Sequence, residues 1–319
     1  MMDFIFPRSV PLACVLSLVA LVVIGLILPD WAMFLMTMAF AKGMVALGVV
    51  CLMRCGLVSF GQGLYFCIGA YVSGLMATWA GTTDIFLLSF LGILASGLVA
   101  AIFGPLLATY RGIFFAMLTL SLSMILYGTL SKMSVLGGTD GLNVTATTFL
   151  GYHPEGRALG LSLYLYTCAV VVVFGGIVRI FFDSERGLIA LAIRDNELRV
   201  EYLGASVRSE IAVTYIVAAI AGGIGGVIAG AAIGHVDPEY AYWTTSGEFV
   251  FVAILSGYFS IRAVFLGSIV LEVVRSFSNL YFPTTWQMSL GIFLLVVILV
   301  LPNGLGSLLS RARKPEQSS

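Results

Sequence analysis

Charge is scarce in this chain. Only 10% of its 319 residues are Asp, Glu, Lys or Arg, where ordinary globular domains carry about a quarter. Lysine occurs only at Lys42, Lys132 and Lys314. None sits in a Gly-Lys-Ser/Thr context, so the chain has no Walker A phosphate loop. The two histidines, His153 and His235, have no neighbours at metal-binding or triad spacing. Formal net charge is zero, which removes the electrostatic case for nucleic-acid binding. The five cysteines (Cys14, Cys51, Cys55, Cys67, Cys168) all lie in apolar stretches and read as small buried hydrophobes. Cys51 and Cys55 stand at i,i+4 but have no third ligand in view, so neither a metal site nor a cofactor nor a disulfide is predicted.

What the chain has in excess is hydrocarbon. It is 60% hydrophobic with a mean hydropathy of +1.06. A soluble protein of this length needs far more polar surface, so the composition predicts an all-α, polytopic membrane protein formed as one transmembrane domain over 1–319. About 20 apolar residues cross the hydrocarbon core. Runs of that kind fall at 10–28, 31–53, 59–79, 85–109, 112–134, 161–182, 210–233, 246–258, 262–282 and 286–302. Ten spans are expected, the eighth short or re-entrant. The first run exceeds a signal-peptide core of about 7–15 residues and reads as a retained helix.

An even count puts both termini on one side, and the distribution of Lys and Arg says which. With the N-terminus inside, twelve basic residues fall on the cytoplasmic side and only Lys132 and Arg157 outside. The positive-inside rule therefore predicts an N-in, C-in topology. The longest polar breaks are 135–160, expected outside, and 183–209, expected inside.

The inner break concentrates the charge. Arg179 to Glu210 hold 11 of the chain's 32 charged residues. Leu188, Leu191, Ala192 and Leu198 recur at near-helical spacing between Arg186, Arg194, Asp195, Glu197, Arg199 and Glu201, and Gly187 and Gly204 punctuate the run. One or two short amphipathic helices fit this pattern. A helix resting on lipid carries a basic polar face. Here acidic residues match the arginines almost one for one, which favours a protein partner.

Two glycine-rich stretches stand out. In GLVSFGQGLYFCIGAY (56–71), Ser59 and Gln62 accompany Gly56, Gly61, Gly63 and Gly69. Two readings are open: a kink that lines a pathway, for which Ser59, Gly61 and Gln62 are the candidates, or close helix packing through small residues. In AGGIGGVIAG (221–230), Gly222, Gly226 and Gly230 repeat every four residues. That stripe predicts a packing seam, within the chain or between subunits. Lys42 lies within a span and is a pathway candidate, or a cation neutralised by Glu248 or Glu272. Glu272 and Arg275 are three apart on one helix and can pair with each other.

Several of these stretches together resemble the LivM-type inner-membrane permeases of branched-chain amino acid ABC importers. They are GLVSFGQGLYFCIGAY (56–71), YRGIFFAMLTL (110–120) with GGTDGL (137–142), the run from Arg186-Gly187 through AIRDNE (192–197) to EYLG (201–204), and LPNGL (301–305). They follow the family's order over most of the chain, and the 186–204 match is the most specific. The sequence departs from the family at SGYFSI (256–261), where a Gly-Gly pair followed by Gly-Ser is usual.

The resemblance implies a multi-pass permease of the bacterial inner membrane, itself not an enzyme. It implies ABC ATPase subunits seated on a coupling helix at 183–209, with Arg186, Arg194, Asp195, Asn196, Glu197, Glu201 and Gly204 as contact residues. It also implies a second homologous permease, and a periplasmic binding protein that delivers a small-molecule substrate near Thr139 and Asp140. Urea, short amides or other small organic acids fit the same scaffold. Two rivals belong to other classes. An ATP-independent secondary transporter or channel needs intramembrane ion sites, and a membrane enzyme needs clustered His, Asp or Glu at depth.

Overall fold

The computed structural model describes residues 9–257 and 260–300. The motif at 301–305, residues 258–259 of the divergent turn, and Arg8, Arg311, Arg313 and Lys314 lie outside the described residues. Twelve α-helices form among those described: α1 (Ser9–Ile27), α2 (Asp30–Met53), α3 (Gln62–Leu75), α4 (Ile85–Leu107), α5 (Gly112–Lys132), α6 (Arg157–Asp183), α7 (Glu185–Asp195), α8 (Glu197–Tyr202), α9 (Val207–Ile233), α10 (Trp243–Ser256), α11 (Ile261–Tyr281) and α12 (Trp286–Val300). Seven are long and apolar enough to cross a bilayer: α2, α3 with its π-helical extension to Ala80, α4, α5, α6, α9 and α11. The segment expected to be short is the 14-residue α10.

Polar residues start these helices by occupying backbone N–H groups that have no partner within the helix. The Asp84 carboxylate accepts from Phe86 N and Leu87 N to start α4. Ser184, Asn196 and Ser206 do the same for α7, α8 and α9. Gly234, with φ +74°, ends α9, a conformation that favours glycine.

The core is built around α9. A Cβ on Gly222 would stand 2.8 Å from the Tyr65 Cβ, one on Gly230 would stand 2.9 Å from the Ser73 Oγ, and one on Gly226 would run into the Phe66 carbonyl. The every-fourth glycine stripe thus seats α3, as a seam within the chain. Gly223 faces Ser96 and Gly92 of α4, and Gly225 faces Ala41 and Val45 of α2. Three helices reach van der Waals contact with α9 because it presents almost no side chains to them.

The sequence shows no internal repeat, yet the packing repeats. α9 carries α3 and α4, and α2 carries α10 and α11. α2 and α9 lie against each other in opposite directions, with Gly48 at Ala218 and Ala41 at Gly225. Both α3 and α10 are short helices that follow a break in the chain, at 54–61 and at 234–242. The series α2–α5 and α9–α12 therefore follow one plan with opposite sense. α6 packs on α2, and α1 on α6.

Turns gather at two ends. At one, the 54–56 turn, the 108–111 turn and α7–α8 meet: Arg111 Nη2 donates to Glu197 Oε1 at 2.7 Å, and Arg194 packs over Gly56. At the other, a two-residue antiparallel ladder, β1 (Leu142–Asn143) with β2 (His235–Val236), ties the 135–160 loop to the end of α9. Asp84 also accepts from Leu150 N, fastening that loop to the start of α4.

Candidate functional site

The first candidate is the start of α3. The 54–61 break folds back into the protein, and Ser59 and Gln62 have 0% exposure. Three backbone N–H groups are met by hydroxyls. Gly61 N donates to Ser59 Oγ at 3.2 Å, Phe60 N to Thr119 Oγ1 of α5 at 3.2 Å, and Gly63 N to Ser246 Oγ of α10 at 3.0 Å. Ser123 of α5 donates to the Ala241 carbonyl at 2.7 Å. Gly61 and Gly63 allow this approach: a Cβ at Gly61 would lie 2.8 Å from the Thr119 carbonyl oxygen, and one at Gly63 would press on Ser246 Oγ. Gln62 is different. Both of its carboxamide atoms are buried without a partner, and its Oε1 lies against Gly222. An unmet buried polar group costs about 1–3 kcal/mol.

The 56–71 stretch is thus both broken and tightly packed. Gly61 and Gly63 belong to an interrupted helix, whereas Gly69 packs tightly on Gly223 of α9. Thr119, Ser123 and Ser246 were not singled out from sequence. Isolated hydroxyls in apolar helices commonly bond their own preceding turn, as Thr129 and Ser121 do here, so composition does not mark the ones that bond elsewhere.

The second candidate is a buried ion cluster joining α2, α10 and α11. Lys42 Nζ lies 2.8 Å from Glu272 Oε2 and 3.8 Å from Glu248 Oε2, and Arg275 Nη1 lies 3.2 Å from Glu248 Oε2. The Arg275 guanidinium carbon also stands 5.3 Å from the Trp286 ring centroid, reaching α12. Both carboxylates proposed from sequence therefore neutralise Lys42. The local Glu272–Arg275 pairing does not form: Glu272 turns to Lys42, and Arg275 reaches across to Glu248. Lys42 is only 6% exposed and has the strongest need of an anion in a low-dielectric bundle.

The third candidate is the charged loop, which forms two helices. Asn196 sits between them with φ −161°, and its Oδ1 accepts from Arg199 N at 3.0 Å. That break resets the helical phase. The inward face is Gly187, Ala190, Ile193 and Val200, whereas Leu188 and Leu198 point outward and Leu191 is half-buried. The sequence-based apolar face of Leu188, Leu191, Ala192 and Leu198 is thus displaced. Gly187 does not interrupt α7 but lies inside it, packed on the Phe181 and Phe182 carbonyls. Gly204, φ +87°, follows the end of α8.

Arg186, Arg194, Asp195, Asn196, Glu201 and Gly204 are exposed, but Glu197 is half-buried. Its carboxylate accepts two Arg111 Nε contacts at 2.9 Å and one from Nη2 at 2.7 Å. Glu197 therefore ties α8 to the α4–α5 turn. Leu198, Tyr202 and Leu203 complete an outward apolar surface, 64%, 88% and 82% exposed.

Thr139 and Asp140 form part of an exposed 3-10 turn at Gly138–Asp140, held by Gly137 at φ +89°. They lie at the end opposite α7–α8, beside the β1–β2 ladder. The described cysteines are free thiols, and no group of three or more His, Cys, Asp or Glu stands at metal-binding distances among the described residues.

Residues 31–301 match the family described as branched-chain amino acid transport system / permease component. The chain belongs to this family. Its relatives include the high-affinity branched-chain amino acid transport system permease protein LivM of Escherichia coli K12, 25% identical over 267 residues, covering 76% of this chain and 62% of that protein. LivH of Salmonella typhimurium LT2 is 24% identical over 264 residues, covering 78% of this chain and 85% of LivH. The permease thus spans less than two thirds of the LivM relative's length. No solved structure matches it. The matched region includes the α3 break, the ion cluster and the charged loop. This is a multi-pass membrane protein of a permease family, and its relatives are transport proteins rather than enzymes.

Proposed function

We propose that this permease is the translocating subunit of an ATP-driven importer for branched-chain or related amino acids. In this reading, ten helical segments sit in a bacterial inner membrane with both termini inside. The seven long helices are joined by α1, α10 and α12. A separate ABC ATPase grips α7–α8, a second related permease completes the pathway, and a periplasmic binding protein delivers substrate at the Thr139–Asp140 turn. Ser59, Gly61, Gln62 and Lys42 belong to the pathway.

The observation that carries the reading is the charged loop. Its second helix is braced to the body of the protein through Arg111–Glu197, yet Leu198, Tyr202 and Leu203 point away from it. An apolar patch ringed by mixed charge fits a protein groove better than lipid. The braced base supplies what a coupling element needs, a rigid path for force. Docking then uses the outward residues Arg186, Arg194, Asp195, Asn196, Glu201 and Gly204, while Glu197 acts from within as the brace.

The test is co-purification of the permease with an ABC ATPase from the same cells. Arg194→Glu combined with Glu201→Lys should release the ATPase while the permease still elutes as a folded, monodisperse species. Retention of the ATPase together with full leucine uptake would overturn the docking assignment.

A further inference from the structure

We propose that the starts of α2 and α6 form a seat for one phospholipid with a primary-amine headgroup. Its phosphate rests on Arg157, its ammonium on Asp30, and an acyl chain lies in the cleft below them. This site goes beyond the importer reading and needs only a chain that spans a bilayer.

A cavity of about 190 Å³ opens between the starts of the two helices, with Ala231 and Ala232 near the end of α9 also lining it. Its walls are apolar. Met33 of α2 and Leu163 of α6 are buried, and Thr37 of α2 spends its hydroxyl on the Met33 carbonyl at 2.8 Å. Gly156 and Gly160 leave room in it, since a Cβ on either would meet nothing within 4 Å. The lining runs from Asp30 to Thr37 on α2 and from Arg157 to Leu163 on α6, about 10 Å and about 9 Å at 1.5 Å per residue. The cleft is therefore elongated along the helices, as a hydrocarbon chain requires.

Two opposite charges stand at its mouth. Arg157 Nε lies 3.4 Å from Asp30 Oδ1, and Arg157 Nη2 donates to the Leu28 carbonyl at 3.4 Å. The two side chains are 63% and 69% exposed. So open a pair contributes little by itself, and each ion keeps capacity for a further partner. A guanidinium presents planar donors that match phosphate, and a carboxylate accepts charge-assisted hydrogen bonds from an ammonium. A headgroup with both signs satisfies both residues, whereas a purely anionic one meets Asp30 as a like charge.

Tryptophans mark the level of the seat. Trp31 follows Asp30 and is exposed, and so are Trp79 and Trp243. Both belong to the same end of the molecule. Trp79 shortly precedes Asp84, which bridges to Thr148 of the 135–160 loop, and Trp243 follows the β1–β2 ladder. Tryptophan gathers at the headgroup level of a bilayer. Asp30 and Arg157 then face headgroups, and the cleft leads from them towards the hydrocarbon.

The test is native mass spectrometry of the full-length permease, titrated in detergent with phosphatidylethanolamine or phosphatidylglycerol of identical acyl chains. One phosphatidylethanolamine should be retained at a concentration at least about tenfold below that needed for phosphatidylglycerol, as expected when a charged hydrogen bond is replaced by repulsion. Arg157→Gln should abolish that preference. Gly160→Leu, which fills the cleft and leaves the ion pair in place, should lose the bound lipid.

Equal retention of the two lipids, or an unchanged preference in either folded variant, would overturn the seat. So would displacement of the lipid by L-leucine, which carries both charges on a short side chain; that result would give the cleft to an amino acid.

Discussion

Lys42 shows how much a single residue can disclose. A lone lysine in an apolar run has to be paired, and the sequence already named the two carboxylates that meet it, Glu248 and Glu272. It did not reveal how the other charges are shared, because that depends on helix rotation, and the i,i+3 spacing of Glu272 and Arg275 offered a local pair that the tertiary contacts override. Lys42→Ala leaves Glu272 buried without its cation, while Arg275 still holds Glu248. It should destabilise the protein by about 3–5 kcal/mol, read as a lower unfolding midpoint in detergent. Replacing Lys42 and Glu272 together with Met and Leu should recover much of that loss. Glu197 is a milder case. Its partner Arg111 is about a third exposed, so Glu197→Gln should cost only about 1 kcal/mol, seen as a small midpoint shift. Gln62 was legible as a polar residue among glycines. Its unmet carboxamide was not, since that depends on how the start of α3 packs against Gly222 of α9.

At the scale of elements, apolar runs and polar breaks gave most helices nearly their observed bounds. The period-four glycines lie along the line where α3 packs on α9. Which helix fills the seam was beyond the sequence, because α3 reaches α9 only after the chain has crossed several times. The seam predicts a sharp contrast between two glycines. Gly226→Ala places a methyl against the Phe66 carbonyl and should destabilise by about 1–3 kcal/mol. Gly128→Ala on α5 meets nothing within 4 Å and should be neutral or stabilising by up to about 1 kcal/mol. Thermal unfolding of the two variants side by side checks this. α7 and α8 were expected as one or two amphipathic helices, and two form. The expected apolar face was displaced because small Gly187 and Ala190, with Ile193, form the packed face of α7 and leave Leu188 outside, and Asn196 interrupts the helix so that Leu198 shares no phase with α7.

For the whole molecule, two series of helices follow one plan in opposite senses but are held differently. α9 grips α3 and α4 through glycine contacts, and α2 meets α10 and α11 through an ion cluster and the Ser268 hydroxyl, which donates to the Ala39 carbonyl. No internal repeat is visible in the sequence because the same geometry is filled by different chemistry in each half.

The Arg111–Glu197 bridge joins these scales. Arg111 immediately precedes α5, and Thr119 lies eight residues further on, about 12 Å along the helix at 1.5 Å per residue. Under the importer proposal, a stroke delivered to α8 by a nucleotide-driven motor would be carried by one guanidinium straight into the rod that bears the Thr119 hydroxyl. Arg111→Ala should disengage that clutch: the assembled transporter would go on hydrolysing ATP while solute stays outside the vesicle.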